Sequence, residues 1–335
     1  MNRAERRRQE AERGIPHQRS TATVETWLEQ GRVHQQANRL TEAEAAYRQA
    51  LELSPHHSET LHLLGLVTYR QQRLSEALEY LRAAVDRQSS FPVYWFNLGV
   101  VLQKAGRSPD AVTAYRKAIA LNPRYPEAYG NLGNVLRDTG DLSEAVSAYQ
   151  QALALNSAQA DTHNNLGVAR KEQGAPQEAI ACYRKALELK PAHAEAYNNL
   201  GLALMEVGTL HDAIAAFQQA LSFAPGYQTA RYNLGMAWSW AGNDTKACQC
   251  LEQVARARHD HGKPVAEAPV YRSRIKHDAE QIRYLLDRQK LDQTQRPYLE
   301  ALRRLDERLN LDASSENRVA IDRQTLTDIA PSFNR

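Results

Sequence analysis

Small and apolar positions recur along this chain with a period of 34 residues. A glycine column contains Gly31, Gly65, Gly99, Gly133, Gly167, Gly201 and Gly235. An alanine column with the same step contains Ala43, Ala77, Ala111, Ala145, Ala179, Ala213 and Ala247. A third column is alanine from Ala50 to Ala220 and changes only at Val254. Since a fixed period marks a repeat architecture, we predict seven repeats, at 24–57, 58–91, 92–125, 126–159, 160–193, 194–227 and 228–261.

Each repeat has the pattern of two helices, as residues 92–125 illustrate. Trp95, Leu98, Gly99 and Leu102 lie on one face of a first helix, at spacings of three and four residues. Gly106 ends that helix because glycine adopts left-handed backbone angles without strain. Ala111, Tyr115, Ala118 and Ile119 share a face of a second helix, which Asn122-Pro123 closes because proline cannot continue a helix. No repeat can bury such a face alone, so neighbouring repeats must stack.

This pattern resembles the tetratricopeptide repeat (TPR) family, most clearly at Ala194-Glu-Ala-Tyr-Asn-Asn-Leu-Gly, Ala213, Phe217 and Ala220. The resemblance implies an all-α fold, an α-α superhelix or solenoid, with the first helices lining its concave side. Residues 1–23 carry six arginines against three acids without apolar periodicity, which predicts a disordered basic arm. Residues 262–335 open on Gly-Lys-Pro and resume amphipathic patterns at Ile275 and Leu302, which predicts a helical extension that caps the seventh repeat.

One polar column has no obvious role in packing. The sixth position of five successive repeats is asparagine, at Asn97, Asn131, Asn165, Asn199 and Asn233. Asparagine is a poor residue for a helix interior because its amide competes for backbone hydrogen bonds. An amide both donates and accepts, so a ladder of asparagines can hold the backbone of an extended peptide. The ladder resembles that of O-GlcNAc transferase repeat domains; alternatively, each asparagine bonds the neighbouring repeat and fixes the superhelical pitch.

The residues on the same face of the first helices as the asparagine ladder determine the predicted chemistry of the concave groove. Six carboxylates flank it, with only Arg137 and Lys171 nearby. This favours a neutral or basic extended protein segment, unless this helix face is an ordinary solvated face. It also departs from the TPR clamps that hold chaperone carboxyl termini through lysine and arginine. The complete predicted peptide-binding set adds to the five asparagines Asn134, Glu127, Asp138, Asp161, Glu172, Glu195, Glu206 and an apolar anchor at Met236 and Trp240.

Composition limits the remaining functional classes. The formal net charge of +3 is the balance of +3 in residues 1–23, −2 in residues 24–261 and +2 in residues 262–335, so nucleic acid is not a favoured partner. No apolar run is long enough to span a membrane. Three cysteines, Cys182, Cys248 and Cys250, are too few for a disulfide framework, and the basic start lacks the apolar stretch of a signal peptide. We therefore expect a cytoplasmic protein.

The sequence contains no recognisable catalytic constellation. It has no phosphate-binding loop, no Gly-x-Ser-x-Gly and no pair of Cys-x-x-Cys elements. Cys248 and Cys250 diverge on a helix, and His259 and His261 lack a third ligand, so neither pair predicts a metal site. We expect no cofactor and no enzyme activity.

The predicted function is a protein-protein interaction scaffold that binds an extended peptide in the concave groove. Two alternatives stay open. The chain could be the substrate-recruiting module of a modifying system, either like O-GlcNAc transferase or like an iron/2-oxoglutarate oxygenase, which the stretch from Tyr271 to Leu286 resembles. It could instead be a self-associating structural array, that is, a homo-oligomer.

Overall fold

A computed structural model describes residues 23–243, 246–247, 249–250 and 253–254. Several sequence predictions lie outside these residues: the basic arm before Thr23, Cys248, the pair His259 and His261, and the extension at 262–335 with its predicted cap.

Thirteen α-helices and no strands are found among the described residues, which confirms the all-α fold. Odd-numbered helices are the first helices of successive repeats, and even-numbered helices are the second helices. Their bounds are α1 Val24–Gln36, α2 Leu40–Leu53, α3 Ser58–Arg70, α4 Leu74–Arg87, α5 Pro92–Lys104, α6 Ser108–Leu121, α7 Pro126–Asp138, α8 Leu142–Leu155, α9 Ala160–Glu172, α10 Pro176–Leu189, α11 Ala194–Glu206, α12 Leu210–Phe223 and α13 Gln228–Trp240.

The turn between the two helices of a repeat requires a left-handed residue. Gly106 takes that conformation after α5, with φ 72°, as its glycine column predicts. The first two repeats lack this glycine, and Asn38 (φ 58°) and Gln72 (φ 63°) adopt the same angles in its place. Asparagine tolerates left-handed angles through its short polar side chain, whereas glutamine has no such compensation. Gln72 is therefore a strained position in the second repeat.

Replacing Gln72 with glycine is expected to stabilise the protein by about 0.5–1 kcal/mol. The substitution removes a left-handed penalty of about 1–2 kcal/mol but adds backbone freedom to the unfolded chain. Urea unfolding would measure the change, and Gly106→Ala at the equivalent turn of the next repeat should shift stability in the opposite direction. A lower urea midpoint for Gln72→Gly would contradict the proposed strain.

Large aromatic side chains fill the space that the glycine column leaves. Tyr47, Tyr115, Tyr149 and Phe217 are fully buried on α2, α6, α8 and α12. Each faces the glycine of its own repeat so closely that an added methyl group would overlap the ring: at Gly99 the new carbon would lie 2.7 Å from Tyr115 Cε1. The glycine column therefore exists because the aromatic column occupies the position of its side chains.

The described chain divides into two compact units between Ala175 and Pro176. Unit 1 contains α1 to α9, and unit 2 contains α10 to α13. In unit 1, α1, α3, α5 and α7 each pack against the second helix of the same repeat, and α3, α5, α7 and α9 each pack against the second helix of the repeat before. In unit 2, α11 packs against α10 and α12, and α13 packs against α12. Each unit thus has the stacked helix pairs of an α-solenoid.

Candidate functional site

The candidate site is the face of the first helices that points away from the second helices of the same repeat. We call it the A-helix face and describe it separately for each unit. In unit 1 it carries Asn97 on α5, Asn131 on α7 and Asn165 on α9, all half-buried. The buried neighbours of these asparagines, such as Leu98 and Leu132, turn towards the core, which leaves the amides at its edge.

Two of the three ladder asparagines of unit 1 use one N–H to bond the neighbouring repeat. Asn97 Nδ2 donates to Nε2 of His62 on the preceding first helix, at 2.8 Å. Asn165 Nδ2 donates to Oδ1 of Asn134 in the same way, at 2.9 Å. The side chain of Asn131 lies beside the hydroxyl group of Tyr115, where it partly opposes the rise that burial causes in the pKa of that tyrosine. The bonds of Asn97 and Asn165 join adjacent repeats, so part of each of these two amides fixes repeat geometry, as the structural alternative expects.

The three ladder amides of unit 1 keep hydrogen-bonding capacity beyond these bonds. An asparagine side chain has two N–H donors and an oxygen with two lone pairs, and one inter-repeat bond uses only one of these groups. The amides of Asn97, Asn131 and Asn165 are half-buried rather than enclosed. Packing between repeats and recognition of a peptide are therefore compatible at the same residue.

Unit 2 repeats this arrangement on α11 and α13. Asn233 Nδ2 donates to Oδ1 of Asn198 at 2.8 Å, and Asn198 Nδ2 approaches Oδ1 of Asn199 at 3.4 Å. Asn198 is buried, whereas Asn199 and Asn233 are half-buried. Asn198 lies next to the ladder position and serves as its internal partner.

Buried tyrosines on the second helices of unit 1 hydrogen-bond amides on the first helices through their hydroxyl groups. Tyr47 donates to Gln35 Oε1 at 2.8 Å, and Tyr115 donates to Gln103 Oε1 at 3.0 Å. Tyr149 donates to Asn134 Oδ1 at 2.8 Å. Burial raises the pKa of Tyr47 to about 12, so its hydroxyl group is a permanent donor at neutral pH.

Gln35 and Gln103 are candidate site residues that the sequence did not identify. The only sequence signal is that both occupy the twelfth position of a repeat whose second helix carries tyrosine at the twenty-fourth. That pairing becomes visible only when the two helices are packed together.

The predicted carboxylates lie on exposed parts of the A-helix face. In unit 1, Glu127, Asp138, Asp161 and Glu172 are exposed. Arg137 is half-buried and bonds Asp138 at 2.9 Å, so it offsets one of these charges. In unit 2, Glu195 and Glu206 are exposed on α11.

The predicted apolar anchor, Met236 and Trp240, was expected to offer an exposed apolar surface to a ligand, and the structure does not show one. Met236 is only 7% exposed, so its side chain offers little surface to a ligand, and Trp240 is half-buried. Both residues lie on α13, where the long side chain of Met236 turns into the packing of unit 2. We therefore exclude Met236 from the site.

The described part of the chain contains neither a metal-binding cluster nor a membrane-spanning helix. No group of three or more histidine, cysteine, aspartate or glutamate residues there could hold a metal ion. Among the described helices, none is both long and apolar enough to cross a bilayer.

Family models match most of the repeat region. A model described as TPR repeat matches residues 104–139, 133–174 and 171–208, and two models described as tetratricopeptide repeat match residues 28–91 and 204–268. No curated protein sequence matches the chain significantly.

Solved structures agree on the fold. A tetratricopeptide repeat protein from Parabacteroides merdae ATCC 43184 is 16% identical with a TM-score of 0.57, and the match covers 72% of this chain and 94% of that one. The APC/C hetero-tetramer Cut9-Hcn1 is 21% identical with a TM-score of 0.55, covering 65% of this chain and 43% of that one. Pseudomonas aeruginosa pilF is 19% identical with a TM-score of 0.53, covering 59% and 90%. The chain belongs to the tetratricopeptide repeat family, whose fold is a scaffold for protein-protein interaction.

Proposed function

We propose that this protein binds an extended peptide segment of a partner protein along its A-helix face, through the asparagine ladder. The observation that supports this most directly is the state of the ladder amides in unit 1. Asn97, Asn131 and Asn165 recur on successive first helices and remain half-buried, and Asn97 and Asn165 commit only part of their amides to the neighbouring repeat. A repeated amide with spare donors and acceptors suits a repeated peptide backbone.

The charges beside the ladder indicate which segments it prefers. Four exposed carboxylates of unit 1 lie on the same helices as Asn131 and Asn165, and Arg137 bonds Asp138. An acidic segment would meet repulsion there, whereas a neutral or basic segment would not. The partner is therefore a neutral or basic extended segment, held by its backbone and selected by its charge.

A peptide array tests this proposal. The array displays extended peptides of about nine residues, which span about 30 Å, in acidic, neutral and basic sets. We expect neutral and basic peptides to bind best. The double variant Asn131→Ala with Asn165→Ala should weaken the best binder roughly tenfold, because two hydrogen bonds of about 0.5–1.5 kcal/mol each are lost.

The chain provides a matched control for this variant. Asn122 and Asn156 lie in turns between repeats, where their side chains accept hydrogen bonds from the backbone N–H of Arg124 and Ala158. The double variant Asn122→Ala with Asn156→Ala makes the same chemical change away from the A-helix face and should leave affinity unchanged. Preferential binding of acidic peptides, or equal affinity of the wild type and the ladder variant, would refute the proposal.

The two alternatives from the sequence stay predictions. The recruiting-module alternative depends in part on the segment at 262–335, which lies outside the described residues. A self-associating array predicts concentration-dependent oligomers that persist when Asn131 and Asn165 are replaced, and analytical ultracentrifugation of the double variant would reveal them.

A further inference from the structure

The tyrosine hydroxyl groups of unit 1 determine whether a nearby side-chain amide exposes its oxygen or its NH₂ group on the A-helix face. Tyr115 and Tyr149 are fully buried, so their rings and hydroxyl groups are held in place. Each donates its hydrogen to an amide oxygen, Gln103 Oε1 at 3.0 Å and Asn134 Oδ1 at 2.8 Å. An amide whose oxygen is engaged from behind directs its NH₂ group away from the core, so these amides present donors.

Asn134 shows this orientation most strongly. Its Oδ1 accepts from the Tyr149 hydroxyl group at 2.8 Å and from Asn165 Nδ2 at 2.9 Å. Both lone pairs of the oxygen are therefore occupied. The nitrogen has no bonded partner among the described residues, and the side chain is half-buried. Two N–H groups thus remain at the surface of α7.

The ladder asparagines have the opposite orientation. Asn97 and Asn165 use their Nδ2 groups to bond the preceding first helix, and Asn165 Oδ1 also accepts from Asn164 Nδ2 at 3.4 Å. The Asn97 oxygen therefore keeps both lone pairs, and the Asn165 oxygen keeps one. The A-helix face of unit 1 therefore carries two kinds of amide. The ladder offers acceptors, and the amides held by tyrosine offer donors.

We infer that Gln35, Gln103 and Asn134 form a row of donor amides in unit 1 that binds the backbone carbonyl oxygens of the extended peptide, and that buried tyrosines orient this row. The inference rests on the proposed function, because it concerns the same ligand on the same face. An extended peptide displays N–H and C=O groups in alternation along its length. A face with separate acceptor and donor amides can pair with both kinds of group, as a neighbouring strand would.

Acidic replacements distinguish binding through N–H donors from binding through charge, because the two predict opposite changes in affinity. Asn134→Asp and Gln103→Glu keep an oxygen that accepts from Tyr149 or Tyr115, but they remove the N–H donors and add a negative charge. A basic peptide bound by charge alone would bind these variants more tightly. A peptide bound through its carbonyl oxygens would bind them more weakly, because a carboxylate would face each oxygen.

The probes are the tightest-binding neutral peptide from the array and a copy of it that carries two lysines. We expect Asn134→Asp to weaken both peptides roughly tenfold, and Gln103→Glu to act in the same direction. Tyr149→Phe should weaken both by about threefold, because Asn134 keeps its atoms but loses the bond that orients it. Tyr80→Phe is the matched control, since Tyr80 is half-buried on α4 and forms no hydrogen bond with an amide within the described chain.

The outcomes distinguish this inference from the proposed function. If the ladder double variant loses affinity but Asn134→Asp leaves the neutral peptide unaffected or tightens the lysine copy, the donor row is refuted and the ladder stands. If wild-type protein binds no array peptide, both are refuted. Circular dichroism melts establish that each variant is folded, so a loss of affinity reports on the site.

Discussion

Replacing Gly133 with alanine is expected to lower the free energy of unfolding by about 1 kcal/mol. The new methyl carbon would lie 2.6 Å from Cε1 and 2.7 Å from Cδ1 of Tyr149. Tyr149 is fully buried, so its ring cannot move aside without displacing the packing around it. Overpacking of this kind costs about 1–3 kcal/mol, which exceeds the gain of about 0.5–1 kcal/mol from placing alanine instead of glycine in a helix.

Gly130 provides a control on the same helix. A methyl group at Gly130 has only one neighbour, Thr162 Oγ1 at 3.8 Å, which is an ordinary contact. Gly130→Ala should therefore stabilise the protein by about 0.5–1 kcal/mol through helix propensity alone. Urea unfolding of the two variants should shift the midpoint in opposite directions. Equal shifts would contradict the tight packing of Gly133 against Tyr149.

The Gly133 variant also links packing to the candidate site. Displacement of the Tyr149 ring would move the hydroxyl group that bonds Asn134. We therefore expect Gly133→Ala to weaken peptide binding as well as stability, whereas Gly130→Ala should leave binding unchanged.

Acidification is expected to remove roughly 3 kcal/mol of stability through His62. This side chain is 7% exposed, stacks on Tyr94 with ring centroids 4.4 Å apart, and accepts a hydrogen bond from Asn97. Burial lowers the pKa of His62 from 6.5 to about 4, although the nearby Glu59 partly opposes the shift. Because the unfolded chain binds a proton that the folded protein does not, stability is complete above about pH 6.5 and falls until about pH 4.

The substitution His62→Gln isolates this effect. Glutamine can still accept from Asn97 but does not titrate, so the difference in stability between wild type and variant should shrink by roughly 3 kcal/mol from pH 7 to pH 4. Carboxylates titrate in both proteins and cancel from the difference. His56→Gln, at an exposed turn, serves as the control. A difference that does not change with pH would show that His62 is not buried in its neutral form.

Much of the fold could be predicted because its constraints are local or strictly periodic. The glycine and alanine columns predicted the helix pairs, and the turn at Gly106 has the predicted left-handed conformation. The turn at Gln72 was not predicted, because nothing in the residue type indicates a left-handed angle there. The burial of Met236 was also missed, since its position on the helix face does not show how far the side chain turns inwards.

The sequence by itself determined the helix-pair architecture, the asparagine column and the charges around it, because these depend on residue type and spacing alone. Only the tertiary structure decided which end of each amide is available. The partners lie far apart in the sequence, as Asn97 and His62 or Tyr149 and Asn134 do, and are brought together by packing between helices and repeats. From the sequence alone, a side-chain amide can act as both donor and acceptor. Which group remains available is decided only when a buried neighbour hydrogen-bonds its oxygen or its NH₂ group.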